Sequence, residues 1–131
     1  MLHYKSVIWV AIVGISIALL SGCYKDKTVI FETGEEITRP VSFAQDIIPI
    51  FNSSCNLSGC HSAGGVAPNL ASANAYLSLT AGTYLNTSDP QNSELYQWMT
   101  GKRSAPMPLS GPNKDYNALV LAWIKQGAQN N

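Results

Sequence analysis

The sequence predicts a small all-α domain, and three observations lead to that prediction. Four segments place apolar side chains at helical spacing, and two of these segments have recognisable capping residues at their starts. Long strand-like alternation of apolar and polar residues is absent. Loops rich in Gly, Pro, Ser and Asn separate the helical segments, which indicates short helices joined by turns.

The start of the chain has the layout of a bacterial export signal. Lys5 precedes an apolar run over residues 7–20, and small residues then lead to Cys23. The run is shorter than the roughly 20 residues that a membrane span needs. The stretch "LSGC", which ends at Cys23, resembles a lipobox, in which the cysteine becomes the lipidated first residue of the mature protein. We therefore expect residues 1–22 to be a lipoprotein signal peptide. A plain secretory signal and an uncleaved anchor are the alternatives.

A charged stretch separates this cysteine from the helical domain. Residues 23–40 contain Lys, Asp, Glu and Thr with little hydrophobic periodicity, so we interpret them as a lipidated tether. The domain itself is expected to span residues 41–131. Lys5 is removed with the signal, so seven of the eight Lys/Arg remain against eight Asp/Glu. A mature chain of this charge has no basic surface for nucleic acid.

The first predicted helix begins near Phe43. Ser42, followed three residues later by Gln45, forms a capping box. Pro49 lies inside the helical pattern, so we expect the helix to be kinked or restarted there. Four apolar side chains fall on one face of this helix: Phe43, Ile47, Ile50 and Phe51.

Three further helices are expected downstream. Two are short, at residues 72–79 and 93–100, and Gly101 ends the second. The last helix has the clearest pattern, with Asn113 as its N-cap and Gly127 as its C-cap. One face of this helix should lie in the core: Tyr116, Leu119, Val120, Trp123 and Ile124.

A domain of about 90 residues with short helices buries little apolar surface, and small exported domains usually add disulfides, a metal or a cofactor. The stretch "CNLSGCHS" is where such a group can be attached. With Cys23 lipidated, Cys55 and Cys60 are a pair in an oxidising compartment, followed directly by His61. A disulfide would add about 2 kcal/mol of stability, but it does not account for the presence of His61. A structural zinc site lacks enough nearby ligands.

Haem attachment uses all three residues of this motif. Two thiols add to the porphyrin vinyl groups, and the histidine beside the second thiol binds the iron. Neighbouring side chains on a helical turn diverge by about 100°, so one reaches the ring edge and the next its face. The usual spacing is C-x-x-C-H, whereas four residues intervene here. Asn56, Ser58 and Gly59 tolerate a turn that loops away from the ring. Taken alone, the motif leaves haem attachment and a disulfide both open.

Two methionines are candidates for a second iron ligand, and methionine sulfur raises the reduction potential of haem. Met99 falls on the apolar face of a predicted helix, and we interpret it as a core residue. Met107 lies between Pro106 and Pro108, on a stiff loop of the kind that keeps a weak ligand in place. If haem is present, we predict Met107 as the distal ligand. An ordinary proline-rich turn is the alternative.

From residue 43 onward the chain resembles a monohaem class I cytochrome c domain of the lipid-anchored bacterial kind. The matching stretches are "FAQDIIPIFNSSCNLSGCHS", "APNL", "NSELYQWMTG", "APMPLSG" and "LAWIKQGA". The resemblance implies a small cytochrome c-like domain of short helices wrapped around one covalently bound haem c. It also implies that the first and last helices cross, with Phe43, Phe51 and Trp123 near their contact.

The resemblance further implies which residues hold the cofactor. Cys55 and Cys60 would form the thioether links, and His61 and Met107 would bind the iron. The Pro68 carbonyl would accept a hydrogen bond from the ligand imidazole, which fixes its orientation. Leu70, in the same "APNL" stretch, completes the implied haem-binding residues: Cys55, Cys60, His61, Met107, Pro68 and Leu70.

The function expected from these residues is membrane-anchored electron transfer rather than enzymatic catalysis. Six-coordinate iron leaves no open position for substrate, so the protein would pass one electron at a time between extracytoplasmic redox proteins or to a respiratory complex. Its place would be the periplasmic side of a bacterial membrane or the cell surface. Near-zero net charge favours recognition by a local patch around the haem edge over long-range electrostatic steering.

Two other functions stay open at this point. One is a five-coordinate haem sensor or peroxidase, in which Met107 does not hold the iron. The other is a cofactor-free surface lipoprotein that acts as a binding module, with a Cys55–Cys60 disulfide. Hydrolases are disfavoured, because no glycine-rich phosphate loop or paired-carboxylate motif is present.

Overall fold

The computed structural model describes residues 34–131, and every regular element in this range is helical. The prediction of an all-α fold is confirmed for this part of the chain. Its elements are a π-helical turn at Phe43–Ile47, helix α1 at Ile48–Ser54, helix α2 at Ala75–Ala81, a 3-10 turn at Pro90–Asn92, helix α3 at Glu94–Met99 and helix α4 at Lys114–Lys125. None of these helices combines the length and the apolar character that crossing a lipid bilayer requires. The expected signal peptide, Cys23 and the first part of the expected tether lie outside the described residues.

The first helix begins at Phe43 as predicted, but its cap differs from a simple capping box. Ser42 Oγ accepts a hydrogen bond from the Gln45 amide at 3.2 Å. The Ser42 amide, however, donates to Asp46 Oδ2 at 2.8 Å and not to the Gln45 side chain. The wider π-helical turn explains this difference, because it brings the fourth residue after the cap, and not the third, back to the Ser42 amide.

Pro49 marks the start of the regular α-helix. The π-helical turn ends at Ile47, and α1 then begins at Ile48 with Pro49 in its first turn. A proline is tolerated there because amides in the first turn have no intrahelical acceptor. The predicted restart of the helix at Pro49 is therefore confirmed.

Asp46 connects this helix start to the segment that precedes it. The Arg39 guanidinium donates to both carboxylate oxygens, at 2.7 and 2.9 Å. Hydrogen bonding from Arg39 holds the pKa of Asp46 below its ordinary value, because it outweighs the opposite effect of partial burial. The Asp46 carboxylate is therefore the stabilising form in the folded protein.

We expect Asp46→Asn to lower the free energy of unfolding by about 1 kcal/mol at pH 7, since it removes this pair and weakens the cap. A lowered folded-state pKa means that the stabilisation is present above the ordinary carboxyl pKa of about 3.9 and is lost as the pH falls through the folded-state value. Urea unfolding at pH 7 and pH 3 measures the effect. The gap between wild type and variant should shrink at pH 3, whereas the exposed Glu35→Gln control should differ little from wild type at pH 7. A gap of equal size at both pH values would contradict the assignment.

The other helices follow their predicted signals with local shifts. Helix α2 begins at Ala75 and not at residue 72, because a hydrogen-bonded turn at residues 71–74 precedes it. Helix α3 begins after Ser93, whose hydroxyl accepts from the Asn86 amide at 2.9 Å instead of capping the helix. Asn113 caps α4 as predicted, since its Oδ1 accepts from the amides of residues 115 and 116. Gly127 follows the end of α4 with φ +93°, a conformation that favours glycine.

The core forms where the start of the first helix meets α4. The ring centroids of Phe43 and Trp123 lie 5.1 Å apart, and those of Phe43 and Phe51 lie 6.3 Å apart. Trp123 and Phe51 are fully buried, and the Trp123 indole donates to the Gln129 carbonyl at 2.9 Å. The contact expected between the first and last helices through these three aromatic residues is present.

Helix α4 is buried over more than the predicted face. Val120, Trp123 and Ile124 are fully buried as expected, whereas Tyr116 and Leu119 are only partly buried. Other positions are covered as well: Asn117, Ala118, Leu121 and Ala122. Contact with a distant segment explains this wider burial. Residues 34–37 lie along another side of α4 and line a small cavity together with it.

Both ends of the described chain are fastened to this helix pair. The Gly34 amide donates to the Lys114 carbonyl at 2.8 Å, and the Gln126 side chain bonds the Arg39 carbonyl and the Val41 amide. Asn131 accepts hydrogen bonds from the start of the first helix, including one from the Phe43 amide at 2.8 Å. The helix pair and its attached ends form a platform. The two long connections, at residues 55–74 and 100–113, contain the candidate site residues.

Candidate cofactor site

The cysteine motif forms a closed turn directly after α1. The Cys55 amide donates to the Phe51 carbonyl at 2.9 Å, which continues the helical path. The Cys55 carbonyl then accepts from the His61 amide at 3.1 Å, so the two ends of the motif are joined. The intervening residues turn outward, with the Cys60 amide bonded to the Leu57 carbonyl and Gly59 at φ +79°. Residues 57–59 are exposed, so the extra length of the motif is accommodated outside the protein body.

A second hydrogen-bonded turn, over residues 60–66, follows the motif. The Val66 amide donates to the Cys60 carbonyl at 2.8 Å, and the Gly65 amide donates to the Ser62 carbonyl at 2.9 Å. A Cβ atom at position 65 would collide with the Cys60 carbonyl oxygen. Glycine is therefore required at this position by close approach of the backbone.

His61 is oriented by two backbone carbonyls. Its Nδ1 lies 3.1 Å from the Val66 oxygen and 3.2 Å from the Pro68 oxygen. Carbonyl oxygens only accept hydrogen bonds, so in the neutral ring Nδ1 carries the proton and Nε2 has a free lone pair. The Leu70 amide also donates to the His61 carbonyl at 2.7 Å, which holds the backbone of this residue. An imidazole with Nε2 free to bind is the form that ligates a metal.

Two adjacent cavities lie beside this histidine, with volumes of about 300 and 430 Å³. Both volumes fall within the range of about 300–1,000 Å³ that is typical of small-molecule and cofactor sites. Four residues line both cavities: Cys55, His61, Val66 and Met107. The lining is mainly apolar, as is typical of small-molecule and cofactor sites.

The six residues predicted from the sequence all line one or both cavities. Cys55, His61 and Met107 border both, Cys60 borders the larger one, and Pro68 and Leu70 border the smaller one. The tertiary fold thus brings Met107 to the same space as a histidine that is far from it in the sequence.

Met107 and Met99 occupy different environments. Met107 is half-buried, and its amide donates to the Trp98 carbonyl at 3.0 Å, which fixes the loop to α3. Met99 is almost fully buried within the core cluster, as predicted, and borders only the smaller cavity. Met107 is therefore the methionine that borders both cavities.

The two cysteines are free thiols in this structure. Burial, with a smaller contribution from the neighbouring Cys60 thiol, raises the pKa of Cys55 to about 11. Cys55 is therefore a neutral thiol at neutral pH and a poor nucleophile without activation. Between residues 34 and 131, no three His, Cys, Asp or Glu side chains lie close enough together to hold a metal ion.

Sequence reasoning missed part of the cavity wall. Glu94 and Trp98 border the smaller cavity, and the Trp98 indole donates to Glu94 Oε1 at 3.3 Å. The Arg103 guanidinium lies over the Trp98 ring at 5.6 Å and within 3.6 Å of the Glu94 carboxylate. The spacing of four residues between Glu94 and Trp98 on a predicted helix was the available signal. Tyr84 also borders this cavity, from an irregular segment without a periodic pattern.

The site places two thiols, one imidazole and one thioether around two adjacent apolar cavities. No protein-family model, curated protein or solved structure matches this chain. The function is therefore argued from the residues of the site.

Proposed function

We propose that this protein is a lipid-anchored, single-haem electron carrier of the extracytoplasmic space, with a cytochrome c-like domain and haem c attached at Cys55 and Cys60. One observation carries the proposal. His61, oriented through Nδ1, and Met107 border the same two apolar cavities, directly beside the cysteine pair. When bound, haem supplies a reversible one-electron couple between ferrous and ferric iron.

The cysteines would supply the covalent links. Each thiol would add across one vinyl double bond of the cofactor, with a carbon–sulfur bond formed and the thiol hydrogen passed to the neighbouring vinyl carbon. This addition needs no oxidant, and both sulfurs end as thioethers. The closed turn between Cys55 and His61 supports the assignment, because it keeps both ends of the motif together despite the longer spacing.

His61 would bind the iron through Nε2. The carbonyls of Val66 and Pro68 select the tautomer with a proton on Nδ1 and limit rotation of the ring. Hydrogen bonds of this kind increase the basicity of a ligand imidazole and strengthen the bond to iron.

Met107 would supply the second protein ligand to the iron. A thioether is a weak ligand, so its position must be held by the surrounding chain. Prolines on both sides and the amide bond to the Trp98 carbonyl hold this loop. Methionine ligation and an apolar surrounding both raise the reduction potential. Iron held by both His61 and Met107 would have no open site for substrate, which favours a carrier over an enzyme.

A haemochrome measurement tests this proposal. The full chain is produced in a bacterial host with c-type haem maturation, and its reduced pyridine haemochrome spectrum is recorded after extraction with acidified acetone. We expect haem to stay with the protein and to give the spectrum of two thioether links. The Cys55→Ala/Cys60→Ala variant should lose its haem to the solvent. A colourless wild-type product, with two thiols that appear only after reduction, would contradict the proposal and favour the disulfide-containing lipoprotein.

A further inference from the structure

The small cavity along α4 is separate from the candidate cofactor site, because it shares no lining residue with the two cavities there. Its volume is about 270 Å³, and we call it the α4 cavity. Four of its lining residues are apolar: Ile37, Ala118, Leu121 and Ala122. An engineered cavity of about 150 Å³ with an apolar lining binds benzene. The α4 cavity therefore has room for one aromatic side chain.

The described part of the chain begins at this cavity. Gly34 lines it, and the Gly34 amide donates to the Lys114 carbonyl at the start of α4 at 2.8 Å. The residues that precede Gly34 therefore join the domain at the wall of the α4 cavity. Phe31 comes three residues before Gly34, and three extended residues span at most about 10 Å. The Phe31 side chain is thus within reach of the cavity.

The sequence before Gly34 contains an apolar run that a solvated tether does not need. Residues 24–40 are rich in charge, yet Val29, Ile30 and Phe31 follow one another within them. An exposed run of β-branched and aromatic residues is prone to pair with other chains. Burial of such side chains against an apolar surface is favourable. The run therefore calls for a place to pack, and the α4 cavity is the nearest apolar space described.

The charges near the cavity are compatible with this occupant. Two carboxylates and one ammonium line the α4 cavity, from Glu35, Glu36 and Lys125. The stretch "KDK" before the apolar run has two lysines and one aspartate. Opposite net charges attract only weakly in water, so apolar contact would be the main contribution to docking.

We infer that residues 28–33 dock on α4, with the Phe31 side chain in the α4 cavity. Docking itself uses no residue of the cofactor site, whereas its consequence rests on the lipid anchor of the proposed function. If residues 24–33 were all free, they would span at most about 35 Å from the lipidated Cys23. With residues 28–33 docked, the four free residues 24–27 span at most about 14 Å. The docked segment would therefore hold the domain close to the membrane and restrict electron transfer to partners at that surface.

Nuclear Overhauser contacts test the docking directly. The full chain is produced in a bacterial host with labelled Phe rings and Ala methyl groups, and the lipoprotein is studied in detergent micelles. We expect contacts from the Phe31 ring to the methyl groups of Ala118 and Ala122 at every protein concentration, and their loss in Phe31→Ala. Contacts that appear only as the concentration rises would assign the cavity to a second copy of the chain. That result, or a Phe31 ring without contacts to α4, would overturn the inference.

Unfolding provides an independent measurement. Phe31→Ala should lower the folding equilibrium constant at least tenfold in a urea titration followed by far-UV circular dichroism. Leu77→Ala is the matched control, because Leu77 is 71% exposed and borders none of the three cavities, and its constant should stay within threefold of wild type. In Phe31→Ala/Leu121→Ala the loss should be smaller than the product of the two single losses, since both changes remove the same contact. Single losses that simply multiply would contradict that contact.

The distance from the membrane is measured in nanodiscs that contain a gadolinium-chelating lipid. Domain amides should broaden in wild type and at least twofold less in Val29→Ser/Ile30→Ser/Phe31→Ser, because the longer free tether lets the domain move away. Equal broadening in both proteins would overturn the proposed effect of docking. A colourless protein that shows the Phe31 contacts would overturn the electron carrier and leave the docking intact, whereas a haem protein without these contacts would do the reverse.

Discussion

In the proposed haem protein, replacement of Met107 by Leu is expected to convert six-coordinate, low-spin iron to a five-coordinate form and to lower the reduction potential. Leucine has nearly the volume of methionine but no sulfur, so the change removes a ligand without opening a large cavity. Axial ligands set haem potentials over a span of about 0.8 V, and the loss of a thioether should lower the potential by on the order of 100 mV. Absorbance spectra of both oxidation states and a redox titration measure these changes.

Met99→Leu is the matched control for this experiment. Met99 lies in the core cluster and borders only the smaller cavity, so its replacement should leave the coordination unchanged. If Met107→Leu kept the low-spin spectrum of wild type, Met107 would not be the ligand. A high-spin spectrum that is the same in wild type and in Met107→Leu would instead indicate a five-coordinate sensor or peroxidase. Loss of low-spin character in Met99→Leu alone would assign the ligand to Met99.

Replacement of His61 by Ala should reduce the yield of haem-containing protein at least tenfold. The thioether links alone would leave the iron without its strong protein ligand, and the hydrogen bonds to Val66 and Pro68 would have no imidazole to orient. Haem absorbance per mole of purified protein gives the yield. Ser62→Ala, at the next position, should retain a wild-type yield.

Added imidazole provides a second test of the same role. Alanine leaves space where the ring was, so free imidazole should enter and restore six-coordinate, low-spin iron in whatever His61→Ala protein is recovered. A His61→Ala protein that matures normally and does not respond to imidazole would show that the iron is held by another group.

The local elements of the fold were predictable because their signals involve neighbouring residues. Three features follow from local effects that extend over one helical turn at most: the Asn113 cap, the glycine after α4 and the restart of the helix at Pro49. The differences arose where another segment contacts a helix. The helix predicted at residues 93–100 begins at Glu94, and the Ser93 hydroxyl bonds the Asn86 backbone. Burial of α4 extends past its predicted face, because residues 34–37 cover another side.

The candidate site divides in the same way. The cysteine–histidine motif and the proline-flanked methionine can be recognised without coordinates, since adjacency is a property of the chain. The folded arrangement was needed to show that Met107 shares two cavities with His61 and that the Val66 carbonyl joins Pro68 in orienting the imidazole. The physical reason is that these relations join segments that no local hydrogen bond or helical period connects. Packing of the first helix against α4, together with the hydrogen bonds from residues 34–41 and Asn131, places those segments side by side.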